Sequence, residues 1–526
     1  MLYILMTKTI LCRTLFGMSF HVRQLQQEKR SRLKPLYRFL AASLTMAKPI
    51  HGWYLLWSKR NAHQKTRKKR VVMLKKMLLI LISVLTVCIL IAATVRGMVS
   101  MGLLNIGTVT SIAGAELPRD QYNQFNVLLL GQGDADHDGK DLTDTIIIAS
   151  LDPDISKSAV LVSLPRDTYF LHTEKMAKGK LNSFYRDYKS HLIYQEGIDP
   201  EDAPAEALKE IGNEIGRKLG IEIHHTVNVN FSAFIEAVDA VDGINIDVPY
   251  DIKDTQYPDN EYGFETFELL KGEQKLDGIT ALKYARSRHT TSDFSRSARQ
   301  QQLIGAMAKK VKEEGHITDT SFIASMLQNL SKNMESTMSL REMIGLASLA
   351  KNIDRNRIIT MQFNDRNALY DGFIEPGGFL YAPPRNLFNG TAVLLPVSIP
   401  EFPVTWEQPK AFIKLLTNAR KVYLNRPVLN ILNNGAAPGS ARKLATELIR
   451  YGFSINDIAN ADLESKQDKS ILFGNNESKE ILEEFFKSIL NIENGLPPEG
   501  LPIEQQEDIT IILGKDFNYQ PIKSLL

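Results

Sequence analysis

Arg286, Arg288, Arg296 and Arg299 fall within one short stretch, YARSRHTTSDFSRSARQQQ, residues 284–302. Guanidinium groups this close repel one another unless something anionic lies between them, and their planar forks suit phosphate oxygens. A phosphate or diphosphate is the natural ligand, with a solvated basic face as the bland alternative. Spacing suggests how the groups are held. ALKYARSR reads as the end of a strand, which would turn Tyr284, Arg286 and Arg288 to one side. His289 to Ser292 reads as a turn, and Ser292 or Asp293 caps a following helix. On that helix Arg296 and Gln300 are four apart and share a face, continued by Leu303 and Met307. Such a helix is half-buried, its N-terminal end turned to the site, where helix polarity also favours an anion.

A second set of chemical groups sits in the loop QGDADHDGKDLTD, with Asp134, Asp136, His137, Asp138, Asp141 and Asp144. Hard cations want carboxylate oxygens, and magnesium commonly takes its remaining ligands from phosphate and water. The ligand order of an EF-hand is missing. Beside an arginine cluster the loop favours metal plus diphosphate over mere solvation, and His137 is either a ligand or a turn residue. Arg166 ends the apolar run AVLVSLP and is a candidate to join the arginines in space. GKLNSFY offers Lys180, Asn182 and Tyr185. His224 and His225, at a helix-to-strand passage, read as structural. No G-x-S-x-G elbow, P-loop or H-E-x-x-H motif is present, so serine hydrolysis, nucleotide chemistry of that type and zinc proteolysis have no support.

The elements that must position these groups lie in a chain of 526 residues, 44% hydrophobic and 23% charged, with room for more than one domain. The net charge of +3 decides nothing, because it averages over a strong local asymmetry. KTRKKR at 65–70, with Lys75 and Lys76, precedes the uncharged run 77–95, MLLILISVLTVCILIAATV. That run matches the ~20 residues of a membrane-spanning helix and exceeds a signal-peptide core. The basic flank puts the N-terminal side in the cytoplasm and everything beyond about Arg96 outside. Cys12 and Cys88 both precede the exported part, which therefore has neither disulfide nor thiol chemistry. An exported domain seldom meets nucleic acid, so the arginines are not read as a nucleic-acid surface.

Residues 1–76 are expected as a basic cytoplasmic tail, unless translation starts at Met46 or Met73. Residues 96–124 are expected as a stalk. From 125 to about 400, apolar runs ending in charged loops (FNVLLLG, TIIIASL, AVLVSLP) alternate with helical patterns at 204–219, FSAFIEAVDAVDG, 303–313 and near 319–350. HTVNVN, INIDVP, IITMQF and TAVLLPV supply further strands, which is the pattern of an α/β domain with a ligand at one sheet edge. A Pro-containing stretch, 401–419, reads as a linker to a small α/β module, 420–526. The connection predicts that truncation near Phe402 leaves a folded domain. In that module Asn434, Gly435, Pro438 and Gly439 form a tight turn before a helix, either as simple turn chemistry or as an anion-binding loop.

Taken together, NVLLLG, LTDTIIIASLDP, VSLPRDTYF, KLNSFY, FSAFIEAVDAVDGINIDV and GEQKLDGITALKYARSRHTTSDFSRSARQQ, in this order behind an N-terminal anchor, resemble the LytR-CpsA-Psr family. These are membrane-anchored bacterial enzymes that transfer glycopolymers from a polyprenyl diphosphate carrier to the cell wall. The C-terminal module is similar to the LytR C-terminal domain. The resemblance implies an α/β fold with a mixed β-sheet flanked by helices, and a diphosphate surrounded by Arg166, Lys180, Arg286, Arg288 and Gln300. Asp144 would help to bind Mg2+, and Asp293 and Arg296 would belong to the same shell, with Asn182 and Arg299 as further substrate contacts. Apolar strands and helices would enclose the prenyl chain. The chemistry implied is attack by a peptidoglycan hydroxyl on the sugar-linked phosphate, with Asp144 or Asp293 as base. A non-catalytic lipid-diphosphate or wall-binding anchor is the contrasting possibility. Two family positions differ here: Gly133 and Leu142 stand where an aspartate and an arginine are common, and Asp134, Asp136 or His137 are the available substitutes.

Overall fold

Three apolar runs set the architecture. The computed structural model describes residues 115–134, 140–259, 263–287, 293–316, 319–354, 356–367, 373–398, 402–461, 463–474, 479–502 and 509–522. The expected tail, membrane helix and most of the stalk lie outside these residues. Strands β1 (Phe125–Gln132), β2 (Thr143–Asp152) and β3 (Ser158–Ser163) form an antiparallel meander. It is extended by β4 (His225–Val229), parallel to β1, and later in the chain by β9 (Met334–Ser336) and β10 (Ile358–Gln362). The described residues thus form a six-stranded mixed sheet in the order β9-β4-β1-β2-β3-β10. The runs are mostly apolar because both faces are covered, and the buried Asn126 and Ser150 within them hydrogen-bond to each other. Leu128, Leu130, Ile146, Ile148, Val160 and Val162 enter one core, while Phe125, Val127, Ile147, Ala149 and Leu161 enter another.

Helices α1 (Phe184–Tyr194) and α2 (Ala203–Leu219) cover the first face. Pro204 sits in the first turn of α2 and Gly220 closes it in the left-handed conformation, φ +67°. Helix α3 (Phe231–Asp239), β5 (Ile244–Val248), the hairpin β6 (Ile252–Pro258) and β7 (Phe264–Leu269), β8 (Gly272–Leu276), α4 (Gly278–Arg286) and α5 (Asp293–Glu313) build a separate apolar cluster. Helices α6 (Thr320–Leu330) and α7 (Leu340–Ala350) flank β9, so the helix read near 319–350 is interrupted by a strand. The TAVLLPV strand shrinks to Leu395–Pro396, paired with Leu380–Tyr381, because Pro396 lacks the N–H that a longer ladder would need.

The stretch ALKYARSR, 281–288, is expected as the end of a strand, and this is corrected over 281–286: Gly278 to Arg286 are helical. Asp277 caps the helix by accepting from the Thr280 N–H at 2.8 Å, and the buried Ala281, Tyr284 and Ala285 follow helical, not alternating, spacing. Tyr284 and Arg286 therefore leave the backbone on different sides.

Within 401–419, the stretch read as a linker, Glu407–Asn418 form α8, with Phe412 and Leu416 completely buried. Helix α9 (Arg420–Asn425) follows. Beyond it, β11 (Val428–Asn433), α10 (Ser440–Arg450), β12 (Ser454–Asn460), β13 (Ile471–Phe473), α11 (Lys479–Leu490), β14 (Glu493–Asn494) and β15 (Ile509–Leu513) make the small α/β sheet, ordered β12-β11-β15-β13-β14. The expectation of a separable module meets one continuous core, running from Leu128 and Val160 through Phe412 to Leu448 and Ile511. Arg420, 3% exposed, reaches into the main sheet and donates to the Ser150 carbonyl at 3.0 Å, the Ser158 carbonyl at 3.2 Å and Gln124 Oε1 at 2.8 Å.

Candidate active site

The site begins with an irregularity in the β1–β2 ladder. Gly131 pairs with Thr145 and Gln132 with Thr143, which leaves Asp144 without an opposite residue. A bulge of this kind re-aims a side chain at a sheet edge. Asp144 is presented to the loop that follows β3, where Arg166 Nη1 donates to it at 2.8 Å. Asn182, on the short helical turn Leu181–Ser183, donates to its other oxygen at 3.1 Å. The turn is held against that loop by the Asn182 N–H to the Arg166 carbonyl, 3.2 Å. Lys180 is near but engaged with Asp167, 2.5 Å away.

Helix α5 supplies the opposite wall. Arg296 and Gln300 share its cleft-facing side as their spacing predicts, and Arg296, 6% exposed, points Nη2 to the Asp144 carbonyl at 3.5 Å. The helix is fixed by Gln301, whose Nε2 donates to Ser163 Oγ at 2.8 Å and the Met361 carbonyl at 2.7 Å, tying β3 to β10. Tyr284 Oη donates to Gln302 at 2.7 Å and ties α4 to α5.

Arg286, at the end of α4, enters the same cleft between two aromatic rings. Its guanidinium carbon is 4.2 Å from the Phe231 ring centre and 5.4 Å from that of Tyr257. Burial pushes the Tyr257 hydroxyl above its ordinary range, and the Arg286 charge draws it part of the way back. A register shift in the β6–β7 hairpin between Asp254 and Tyr257 lets both face inward although they are three apart. Asp254, 3% exposed, accepts from Ser287 Oγ at 2.9 Å and so anchors the residue that ends α4.

The result is a cavity of about 390 Å³ walled by Gly131, Gln132, Gly133, Leu142, Asp144 and Arg166 on the sheet side and by Phe231, Tyr257, Arg286, Arg296 and Gln300 opposite. A second cavity, about 270 Å³, shares Asp144, Arg166, Arg296 and Gln300 with it. Arginines from three elements, the loop after β3, the end of α4 and the first turns of α5, thus converge, with Arg166 Nε buried and making no hydrogen bond within the protein. An anion with several oxygens matches this donor set.

Arg299 has a different place. It is 3% exposed, donates from Nε to the Tyr284 carbonyl at 2.8 Å and from Nη2 to the Ser287 carbonyl, and so closes the C-terminal end of α4. It lines neither cavity. Arg288 lies outside the described residues, as do the loop residues Asp136 and His137. Asp293 opens α5, but its side chain is likewise not described. Tyr185 is fully buried and donates to Glu335. Asn434 is buried and accepts from the Gln467 N–H at 2.7 Å, so the tight turn of the small module serves packing.

Among the described residues no group of three or more His, Cys, Asp or Glu side chains could hold a metal ion. Asp134 accepts from the Ser232 N–H and hydroxyl, both at 3.1 Å, and Asp141 pairs with Lys189 at 2.7 Å. Asp144 remains, with a side chain 44% exposed beside the arginines. One accessible carboxylate next to converging arginines would fit a magnesium ion that arrives with a diphosphate, because that ion needs few protein ligands. Tyr257 and the inward Asp254 were not legible in the sequence, since DTQYPDNEYGFETF carries no motif and only the hairpin bulge turns both inward, while Phe231 opens FSAFIEAVDAVDG, whose spacing predicts only a helix.

Residues 108–376 match the LytR_cpsA_psr family profile, and residues 427–517 match that described as LytR cell envelope-related transcriptional attenuator. The chain is 27% identical over 267 residues to the polyisoprenyl-teichoic acid–peptidoglycan teichoic acid transferase TagV of Bacillus subtilis, covering 50% of this chain and 59% of that one. It is 25% identical over 243 residues to the cell wall biosynthesis protein LcpA of Corynebacterium glutamicum, 44% of each. The crystal structure of B. subtilis TagV aligns with a TM-score of 0.40 at 22% identity, covering 57% of this chain and 99% of that chain. The chain spans about half the length of the curated relatives it matches.

Proposed function

The chain belongs to the LytR-CpsA-Psr family, and from that premise we propose that it transfers a glycopolymer from a polyprenyl diphosphate carrier to peptidoglycan by displacement at phosphorus. The observation that carries the reading is the convergence of Arg166, Arg286 and Arg296 on one cleft beside Asp144. Arg166 and Arg296 would bind the equatorial oxygens of the attacked phosphate, and Arg286, held between Phe231 and Tyr257, would receive the leaving phosphate. Gln300 would orient the donor by hydrogen bonding. Lys180 and Asn182 act one step back, Lys180 on Asp167 and Asn182 on Asp144. Arg288 and Asp293 belong to this proposal by their sequence positions.

Asp144 would hold Mg2+, and the ion would neutralise charge on the diphosphate. The wall-sugar hydroxyl attacks, and polyprenyl phosphate leaves without a covalent enzyme intermediate. The protein would act outside the cell membrane, anchored by the apolar run 77–95 with its N-terminus in the cytoplasm. Incubation of the full chain with a synthetic short-chain polyprenyl diphosphate-linked disaccharide and peptidoglycan fragments should release polyprenyl phosphate and label the fragments. Tight donor binding with no release over prolonged incubation would favour a non-catalytic anchor.

A further inference from the structure

The two cavities that share Asp144, Arg166, Arg296 and Gln300 are chemically unlike. The larger holds Arg286 and the aromatic rings, whereas the smaller holds Ser163, Asp167, Ser297 and Asp365. Among the described residues, the carboxylates lining them are Asp144, Asp167, Asp254 and Asp365. Asp144 accepts from Arg166 and Asn182, Asp167 pairs with Lys180, and Asp254 accepts from Ser287. No hydrogen bond or ion pair engages the Asp365 carboxylate among the described residues.

The loop that carries it is nonetheless firmly held. Asn364 and Asn367, on either side, are 1% and 0% exposed. Asn364 Nδ2 donates to the Pro376 carbonyl at 2.7 Å and Asn367 Nδ2 to the Leu380 carbonyl at 2.6 Å. The crossing chain approaches through Gly377, φ +82°, and Gly378, where a Cβ would collide with the carbonyls of Gln362 and Arg366. Two buried amides and two required glycines thus fix the backbone on both sides of one unengaged carboxylate. Such preorganisation at a cavity rim is what proton transfer requires of a base, whereas a merely solvated aspartate needs none of it.

We propose that Asp365 is the general base for the acceptor, and that the smaller cavity receives the acceptor's sugar hydroxyl; the assignment rests on the transferase reading above. As the acceptor oxygen forms its bond to the sugar-linked phosphorus, the hydroxyl proton passes to the Asp365 carboxylate. The bond from that phosphorus to the bridging oxygen breaks, and polyprenyl phosphate leaves with the electron pair. Asp365 then returns the proton to water. Because Asp144 is already held by Arg166 and Asn182, it serves the phosphate side and Asp365 the acceptor side.

The test compares the full-length wild type with Asp365→Asn and Asp365→Glu, using the synthetic disaccharide-diphosphate donor and peptidoglycan fragments. Asp365→Asn should melt like wild type, bind donor with unchanged affinity and lose about 10²-fold or more in transfer kcat, the usual scale for a missing base. Asp365→Glu should recover a measurable part of that loss. Transfer by Asp365→Asn within a few-fold of wild type overturns the assignment. So does a loss of donor affinity that accounts for the whole defect, or a shifted melting temperature shared equally by the Glu variant with no recovery. A wild type that binds donor and releases no polyprenyl phosphate overturns the transferase reading and this assignment together, and is distinguishable because it appears before any variant is compared.

Discussion

Arg166 donates to Asp144 across 2.8 Å, so a guanidinium and a carboxylate neutralise each other on one wall of the cleft. On the proposed reading this pairing would couple donor and metal: a diphosphate bound by Arg166 would free Asp144, whose carboxylate would then be available to hold Mg2+. Asp144→Asn should therefore lower transfer by about 10²-fold, comparable to loss of one electrostatic contact to a transition state. In the presence of chelator the same variant should bind the lipid diphosphate at least as well as wild type, because Arg166 loses its competitor. Fluorescence binding with and without magnesium, alongside a rate assay, reads both signs.

Arg286 and Arg299 are thirteen positions apart in one arginine-rich stretch, yet they should fail differently. Arg286→Lys keeps the charge but loses the fork and much of the stacking on Phe231 and Tyr257, a contact worth about 0.5–2 kcal/mol. Donor affinity should drop while the melting temperature stays. Arg299→Met removes buried hydrogen bonds to the Tyr284 and Ser287 carbonyls, about 1.5–3 kcal/mol for a charged donor. Its melting temperature should fall by several degrees, with donor binding by the remaining folded protein little changed. Calorimetry and donor titration on both variants separate the two.

The same pair shows what the sequence could and could not reveal. The apolar runs of β1 to β3 are legible because burial on both faces leaves few polar positions, and the Arg296–Gln300 spacing is legible because helical geometry is local. Arg299 is indistinguishable from its neighbours in composition. Its role follows from where α4 ends, and the Asp277 cap, not the alternation in ALKYARSR, marks that helix. The β2 bulge that turns Asp144 outward and the hairpin bulge that turns Tyr257 inward depend on pairing between distant segments. So does Asp365, whose neighbours in space come from 144, 166 and 296.

His224 makes stability depend on pH. Its ring stacks on Phe125 with centroids 5.5 Å apart, and Nδ1 accepts from the Asn126 N–H at 2.9 Å. Burial holds its pKa below the ordinary value of 6.5. The unfolded chain therefore takes up a proton near that value while the folded one still resists, so stability falls as pH drops below about 6.5 and levels off below the folded pKa. Melting temperatures followed from pH 7.5 to 5 should fall, and His224→Gln should flatten the His-dependent part of the slope. An unchanged slope in that variant would assign the dependence to other groups.

Two buried arginines join the small module to the main domain. Arg420 carries its guanidinium into the main sheet, where burial pushes its pKa down to about 10. It satisfies the Ser150 and Ser158 carbonyls, Gln124 Oε1 and Ser150 Oγ, while Gln124 Nε2 donates to the Thr417 carbonyl at 2.8 Å. Arg450 makes a second link, with Nε to the Gly378 carbonyl at 3.1 Å, and Gly378 belongs to the crossing that shapes the Asp365 loop. Truncation at Phe402 would expose the apolar face on which Phe412 and Leu416 pack and remove the Arg420 donors from Gln124 and Ser150. The shortened chain should unfold over a broad range, or aggregate, where the full chain melts cooperatively. Arg420→Met in the full chain tests the joint without removing the apolar surface, and should lower the melting temperature while leaving a single transition. A truncated protein that melts as sharply as the full chain would show that the shared core contributes little to the main domain.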